Sequence, residues 1–268
     1  MQLRTPTLHE APPRPTSTRA RPAAAAAGDD EAAFLTRYDA SAYPRPSVAV
    51  DVVALTLEQG ALHAALVRRT AHPHKGRLAL PGGFVGLDES LDAAARRVLA
   101  HKAGLAGVFL EQLYTFGDPT RDPRGRVITV AYFALVDAAR FPREREELVM
   151  ARLDVPWRGE TGGPVEALDA EGRALSFAFD HADIVGLAIK RLRGKLDYSP
   201  VGFQLLPPEF TLRQLQDVHE VVRGESVNKD SFRRRMLASG HLEATGDHEV
   251  DVTWRPAELY RFVRRSAL

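Results

Sequence analysis

The sequence predicts an α+β chain with two folded domains behind a polar arm, and three observations carry that reading. Two apolar, β-rich runs at 47–57 and 62–69 flank a hairpin-length turn. A helical apolar stripe follows a Gly-Gly loop within 80–105. Beyond Ser199-Pro200 the order becomes helix, short turn, basic helix and β ribbon, which is that of a winged helix-turn-helix.

Composition bounds the function classes. A chain of 268 residues, 44% of them hydrophobic, can form one large core or two modest ones. The absence of cysteine excludes disulfides and thiolate metal sites. No run of 18 apolar residues exists, so no membrane-spanning segment is expected. The formal net charge is +1, so any nucleic-acid surface must be local.

Residues 1–30 are rich in Pro, Ala, Thr and Arg and nearly free of large apolar side chains, which predicts a disordered basic arm; a transit peptide is the lesser alternative. In 31–46, Phe34, Leu35, Tyr38 and Tyr43 can pack, while Pro44 and Pro46 force an extended course that would permit crossing to a partner subunit. Strands are expected at 47–57 and 62–69 around the Glu58-Gln59-Gly60 turn. His72 and His74 have no third ligand nearby and read as a solvated loop.

The stretch 80–105 follows. Leu91, Ala94, Ala95, Val98 and Leu99 form one apolar stripe on a helix expected from about Glu89 to Ala103. Asp88 or Ser90 can cap its start, and Gly104 suits its left-handed stop. Gly82 and Gly83 allow backbone to approach a ligand.

On the spacing of Gly83, Glu89, Arg97 and Gly104-Leu105, this stretch resembles the Nudix box, G-x5-E-x7-R-E-U-x-E-E-x-G-U. Where that family has three helical glutamates, this chain has Val98, His101 and Lys102. These positions lie within roughly a 100° arc of the helix, on the face that holds Mg²⁺ in Nudix hydrolases. Magnesium wants hard oxygen ligands, and these three side chains supply none. The expectation is a Nudix-type α/β/α sandwich with no catalytic residues and no metal, in which Glu89, Arg97 and Gly104 are structural and Glu89 and Arg97 brace the loop and helix as an ion pair.

Two more strands are expected at 108–116 and 126–137. The loop between them, 117–126, carries Arg121, Arg124 and Arg126 and is a candidate anion-recognition loop, since guanidinium pairs bidentately with phosphate. Residues 144–173 are acidic with scattered apolar positions, anchored by Trp157. A helix over 180–195 turns Ile184, Leu187, Ala188 and Leu192 inward, with Lys190, Arg191, Arg193 and Lys195 as a solvated basic end.

In the second domain, Thr211 and Gln214 form a capping box for a helix over 212–223 that buries Leu212, Leu215, Val218 and Val222. Asn228 caps a helix over 229–239, with Phe232, Met236 and Leu237 inward. A turn at Thr245-Gly246-Asp247 and strands at 250–254 and 259–263 complete a ribbon. The second helix concentrates basic residues, so Asn228, Lys229, Ser231, Arg233, Arg234 and Arg235 are the candidate DNA contacts.

Together the halves resemble the Nudix-related (NrtR-like) transcriptional regulators of NAD metabolism, over about residues 34–263, in stretches such as 38–55, 78–85, 111–135, 210–222, 231–236 and 255–262. The resemblance implies a homodimeric repressor that senses ADP-ribose or a related NAD-derived nucleotide and binds double-stranded DNA at a palindromic operator of NAD biosynthesis or salvage genes. It implies no cofactor, no membrane partner, and a bacterial cytoplasmic, nucleoid-associated location. The expected organisation is an arm at 1–30, a sensing domain at 31–198 and a winged helix at 199–268. The expected ligand residues are Arg68, Arg69, Gly82, Gly83, Phe84 and Arg126. Two rivals stand beside this reading: a Nudix hydrolase acting on ADP-ribose or a related nucleoside diphosphate, its metal held by Glu111 or acids within 144–147, and a nucleotide-binding adaptor whose C-terminal domain binds protein.

Overall fold

Residues 30–142, 147–196, 198–250 and 256–263 are described by the structure, a computed structural model. Nearly all of the expected disordered arm therefore lies outside the described residues, as do Glu144 and Glu146 and most of the strand expected at 250–254.

The chain divides into two units at Pro44–Arg45. Within the first, Asp30 caps helix α1 (Glu31–Arg37) by accepting from Ala33 N, and a 3-10 turn follows at Ala40–Ala42. The packing expected of its aromatics is with one another: ring centroids lie 5.6 Å apart for Phe34 and Tyr38 and 6.2 Å for Tyr38 and Tyr43.

The second unit opens with the long strand β1 (Ser47–Glu58), paired antiparallel to β2 (Ala61–Arg68). Short strands β3 (Leu78–Ala79) and β4 (Gly82–Phe84) add to β2 and β1, and lead into α2 (Leu91–Ala103). After it come β5 (Phe109–Phe116), β6 (Val127–Leu135), β7 (Leu148–Asp154), β8 (Glu166–Leu168) and β9 (Ala174–Leu175). Among the described residues these nine strands form one mixed sheet in the order β5-β6-β1-β2-β7-β8-β9, with β1 and β6 parallel. The stretch after residue 147, to which the sequence reading assigned no strand before the helix at 180–195, supplies three of them.

Alternation along β1 explains why both its faces are buried. Val50, Val52 and Ala54 point to one side, where Ala94, Ala95, Val98 and Leu99 of α2 cover them. Val53 and Leu55 point to the other, where they meet Ile184, Val185, Ala188 and Ile189 of α3 (His181–Lys195). The result is an α/β/α sandwich with a core on each side of the sheet. Ser90 caps α2 by accepting from Ala93 N, and the helix stops at Gly104, as expected.

The C-terminal elements are β10 (Glu209–Thr211), α4 (Leu212–Arg223), α5 (Lys229–Ala238), β11 (Leu242–His248) and β12 (Glu258–Phe262), the strands ordered β10-β12-β11. This is a winged helix. Both hydrogen bonds of the Thr211–Gln214 capping box form. Phe203, Phe210, Leu212, Leu215, Phe232 and Tyr260 make its core, while Val218 and Val222 of α4 join the core under α3.

Three expectations are corrected here. The first wing strand is β11, and Val250 lies beyond it. The residues read as a turn, Thr245-Gly246-Asp247, sit inside β11 where the register against β12 shifts; Gly246, at φ 85°, supplies the left-handed residue of a bulge. Leu237, expected inward, is 45% exposed, because the single buried side chain of α5 is Phe232.

Candidate functional site

A cavity of about 670 Å³ opens where β4 and the last turn of α2 meet the loops after β2 and β5 and the segment before α3. Arg68, Arg69, Gly82, Gly83 and Phe84, five of the six expected ligand residues, line it. Arg126 does not: its Nη1 donates to Gly117 O at 2.8 Å. The other two arginines of that loop, Arg121 and Arg124, line the cavity in its place.

The loop at its mouth is fixed by the sheet. Gly82 pairs with Asp51 across β4 and β1, and a Cβ on Gly82 would fall 2.0 Å from Asp51 Oδ1 and 3.0 Å from Val50 O. Glycine is therefore required there, and the β4–β1 pairing sets where its carbonyl lies.

One wall is aromatic and cationic. Arg124 lies 5.5 Å from the Phe84 ring and 5.8 Å from that of Phe179, and Arg69 lies 4.9 Å from Phe179. Such faces accept a flat aromatic group by stacking and cation–π attraction. Arg69 is aimed by Nε donating to Pro73 O at 2.7 Å, and Arg124 by its fork on the nearly buried Asp122. Those bonds hold the Asp122 carboxyl below the usual carboxylate range.

The floor is a buried polar network. Arg121 reaches the Asp180 carboxylate with Nε at 2.9 Å and Nη2 at 2.7 Å, and lies 3.6 Å from Asp51. His181 Nδ1 accepts from Leu80 N at 2.9 Å, which places the neutral ring's proton on Nε2, 3.7 Å from Asp51 Oδ1. Burial pushes the His181 pKa below its ordinary value, against the pull of Asp51 and Asp180. Arg121 and Arg124 belong to the loop read from sequence as a candidate anion-recognition loop, whereas Asp51, Asp122, Phe179 and His181 are cavity residues that were not singled out. The signal for one of them was present: Asp51 is a lone acid in an otherwise apolar strand.

The α2 face that carries carboxylates in Nudix hydrolases is different here. Val98 is buried in the core, and His101 and Lys102 face the cavity. Lys102 Nζ donates to Gly82 O. Burial lowers the Lys102 pKa, while Asp51 and Glu147 favour its charged form and Arg69 opposes it. A hydrocarbon, an imidazole and a hydrogen-bonded ammonium do not fit Mg²⁺, and the described residues contain no cluster of three or more His, Asp or Glu placed to hold a metal. Of the alternative acids, Glu111 pairs with Lys195 Nζ at 2.6 Å and Glu147 lines the cavity.

Glu89 and Arg97 form the expected brace. Glu89 accepts from Arg97 and from Gly86 N at 2.7 Å, and Arg97 also donates to Phe84 O at 3.1 Å. The Arg97 hydrogen bonds, then that of Gly86, lower the Glu89 carboxyl from 4.5 to about 2. The pair therefore supports the fold above the ordinary carboxylate pKa and its contribution is lost as pH falls through about 2. In Arg97→Gln, the Glu89 midpoint read by carboxyl ¹³C NMR is expected to move back toward 4.5; an unmoved midpoint would assign the shift to Gly86 instead.

At the other end of the chain, the sequence-predicted DNA residues share one exposed helix. Asn228, Lys229, Ser231, Arg233, Arg234 and Arg235 are all exposed. Asn228 and Ser231 also cap the helix, Ser231 N donating to Asn228 Oδ1 at 3.0 Å, and Arg235 lies over the Phe232 ring at 5.6 Å. Lys229, Arg233 and Arg234 are the other cations of this surface, Arg233 also interacting with the Tyr260 hydroxyl. Such a face suits phosphate contacts at a duplex groove.

The family model described as the NrtR DNA-binding winged helix domain matches residues 202–262, and the Nudix domain model matches residues 45–159. Over 234 residues, 87% of this chain and 88% of the relative, the sequence is 38% identical to the ADPR responsive transcriptional repressor NtrR of Acinetobacter baylyi. It is 37% identical over 90 residues to an ADP-ribose pyrophosphatase of Methanocaldococcus jannaschii, covering 34% of this chain and 51% of that protein. Shewanella oneidensis NrtR, solved with a 27mer DNA, superposes with a TM-score of 0.69 at 34% identity, over 81% of this chain and 93% of that one.

Proposed function

The chain belongs to the NrtR family of Nudix-related transcriptional regulators, and from that premise we propose that it is an ADP-ribose-responsive repressor of NAD biosynthesis or salvage genes. In this reading residues 31–198 sense the nucleotide and 199–268 bind DNA. It acts as a homodimer on a palindromic operator in the bacterial cytoplasm, at the nucleoid. Half-sites about one helical turn apart, or a multiple, would match two copies of α5.

The observation that carries it is a nucleotide-sized cavity with five lining cations against three acids, in the same chain as a helix exposing four cations and one acid. Phe84, Phe179 and Arg124 offer a stacking wall for the base, and Arg68, Arg69, Arg121 and Lys102 offer charge to a diphosphate. Lys229, Arg233 and Arg234 would meet DNA phosphates. Val98, His101 and Lys102 in place of acids argue for sensing without hydrolysis.

The hydrolase reading has one observation of its own, the pyrophosphatase relative over the Nudix portion. Both are separated by fluorescence anisotropy on DNA from the gene's own upstream region and from NAD-biosynthesis promoters, with and without ADP-ribose. Competitor-resistant binding that shifts about tenfold is expected, and needs only about 1.4 kcal/mol of coupling. Mg²⁺-dependent release of AMP from ADP-ribose, without specific DNA binding, would overturn the proposal.

A further inference from the structure

We infer that Lys102 is a built-in substitute for the divalent cation of the Nudix fold: its ammonium is the fixed positive charge against which the nucleotide's diphosphate binds, so recognition needs no metal. The inference deepens the sensor reading and rests on it.

Four observations support it. Lys102 stands on the last turn of α2, at a position where Nudix hydrolases present a carboxylate, and it lines the cavity. Its Nζ is anchored on Gly82 O, and Gly82 is held in place by its pairing with Asp51 across β4 and β1. An ammonium has three N–H donors. The anchor uses one, so two remain for anionic oxygens in the cavity.

The surrounding charges are those a cation site requires. Burial lowers the Lys102 pKa, and Asp51 and Glu147 act against that in favour of the ammonium, much as carboxylates surround a metal, while Arg69, which opposes it, also lines the cavity and adds positive charge toward a diphosphate. A free divalent ion would meet this ammonium where it needs oxygen, and like charge would exclude it. The anchor is also continuous with the loop that carries Phe84, so one short segment sets both the charge and the stacking face.

The test is isothermal titration of full-length protein with ADP-ribose, in EDTA and in Mg²⁺, for wild type, Lys102→Gln and Lys102→Glu, each checked for folding by its thermal melt. Wild type is expected to bind equally in both buffers. Lys102→Gln should lose about ten- to a hundredfold in affinity, the range for a hydrogen bond to a charged group, and Lys102→Glu should lose more in EDTA than in Mg²⁺. Wild-type binding that requires Mg²⁺, or a folded Lys102→Gln that binds as wild type does, would overturn the cation assignment while leaving the sensor standing. No wild-type binding in either buffer would remove the sensor reading itself, and this inference with it.

Discussion

Phe232→Ala is expected to destabilise the winged helix by about 3–5 kcal/mol and to abolish DNA binding, while ADP-ribose binding survives. The magnitude follows from position. Phe232 is 2% exposed and is the one buried side chain of α5. Its ring meets the His219 ring of α4 edge-on at 5.0 Å and packs in a core with Phe210, Leu215 and Tyr260. Alanine removes the aromatic contacts and leaves a cavity that short elements on all sides cannot collapse to fill. The helix that presents the basic face then has no other buried anchor. Denaturant unfolding followed by circular dichroism gives the stability change, and anisotropy with the ADP-ribose titration gives the functional split. A stability loss under about 1 kcal/mol would mean that capping and wing contacts hold α5 instead.

What was legible in the sequence follows from how local each determinant is. Helices α2 and α4 carry their own start signals at Ser90 and at Thr211 with Gln214, and an apolar stripe along one face, so both were readable. Strands β8 and β9, of three and two residues, are too short for alternation to show, and only their pairing with the preceding strands β7 and β8 defines them. The cavity divides the same way. Its Gly-Gly-Phe lip lies in a local motif and was found. Its floor joins Asp51 to Arg121, Asp180 and His181, more than a hundred residues away at the far end, and only the sheet brings them together. For the loop after β5, composition announced its arginines. Which of them face the cavity depends on Asp122 and Asp180 as partners, and so the choice of Arg126 fell on the one of the three that does not line it.

Arg193 is the largest departure from the sequence reading, and the second large effect is expected there. A basic residue in the last turn of a helix reads as solvated, yet Arg193 is 6% exposed. Its Nε donates to Val222 O at 2.7 Å and its Nη1 to Trp157 O at 3.1 Å and Gly159 O at 2.9 Å, with the guanidinium 4.5 Å from the Trp157 ring. Val222 O belongs to the last turn of α4, whose carbonyls have no partner within the helix, so Arg193 also serves as that helix's terminal cation. At its other end, α3 begins at Asp180, which Arg121 grips beside the cavity. One helix of 15 residues, about 22 Å long, thus touches the cavity floor and the end of α4. Arg193→Met keeps the apolar stem and removes all three hydrogen bonds. A loss of about 3 kcal/mol is expected, since buried carbonyls are left unpaired. Arg193→Lys should recover only part of it, because an ammonium lacks the planar fork that spans three acceptors. The sharper readout is coupling: the ratio of DNA affinities with and without ADP-ribose should fall toward one in Arg193→Met even where each ligand alone still binds. A less stable variant with the full ratio intact would make Arg193 a packing residue only, and would move the route between the sites away from α3.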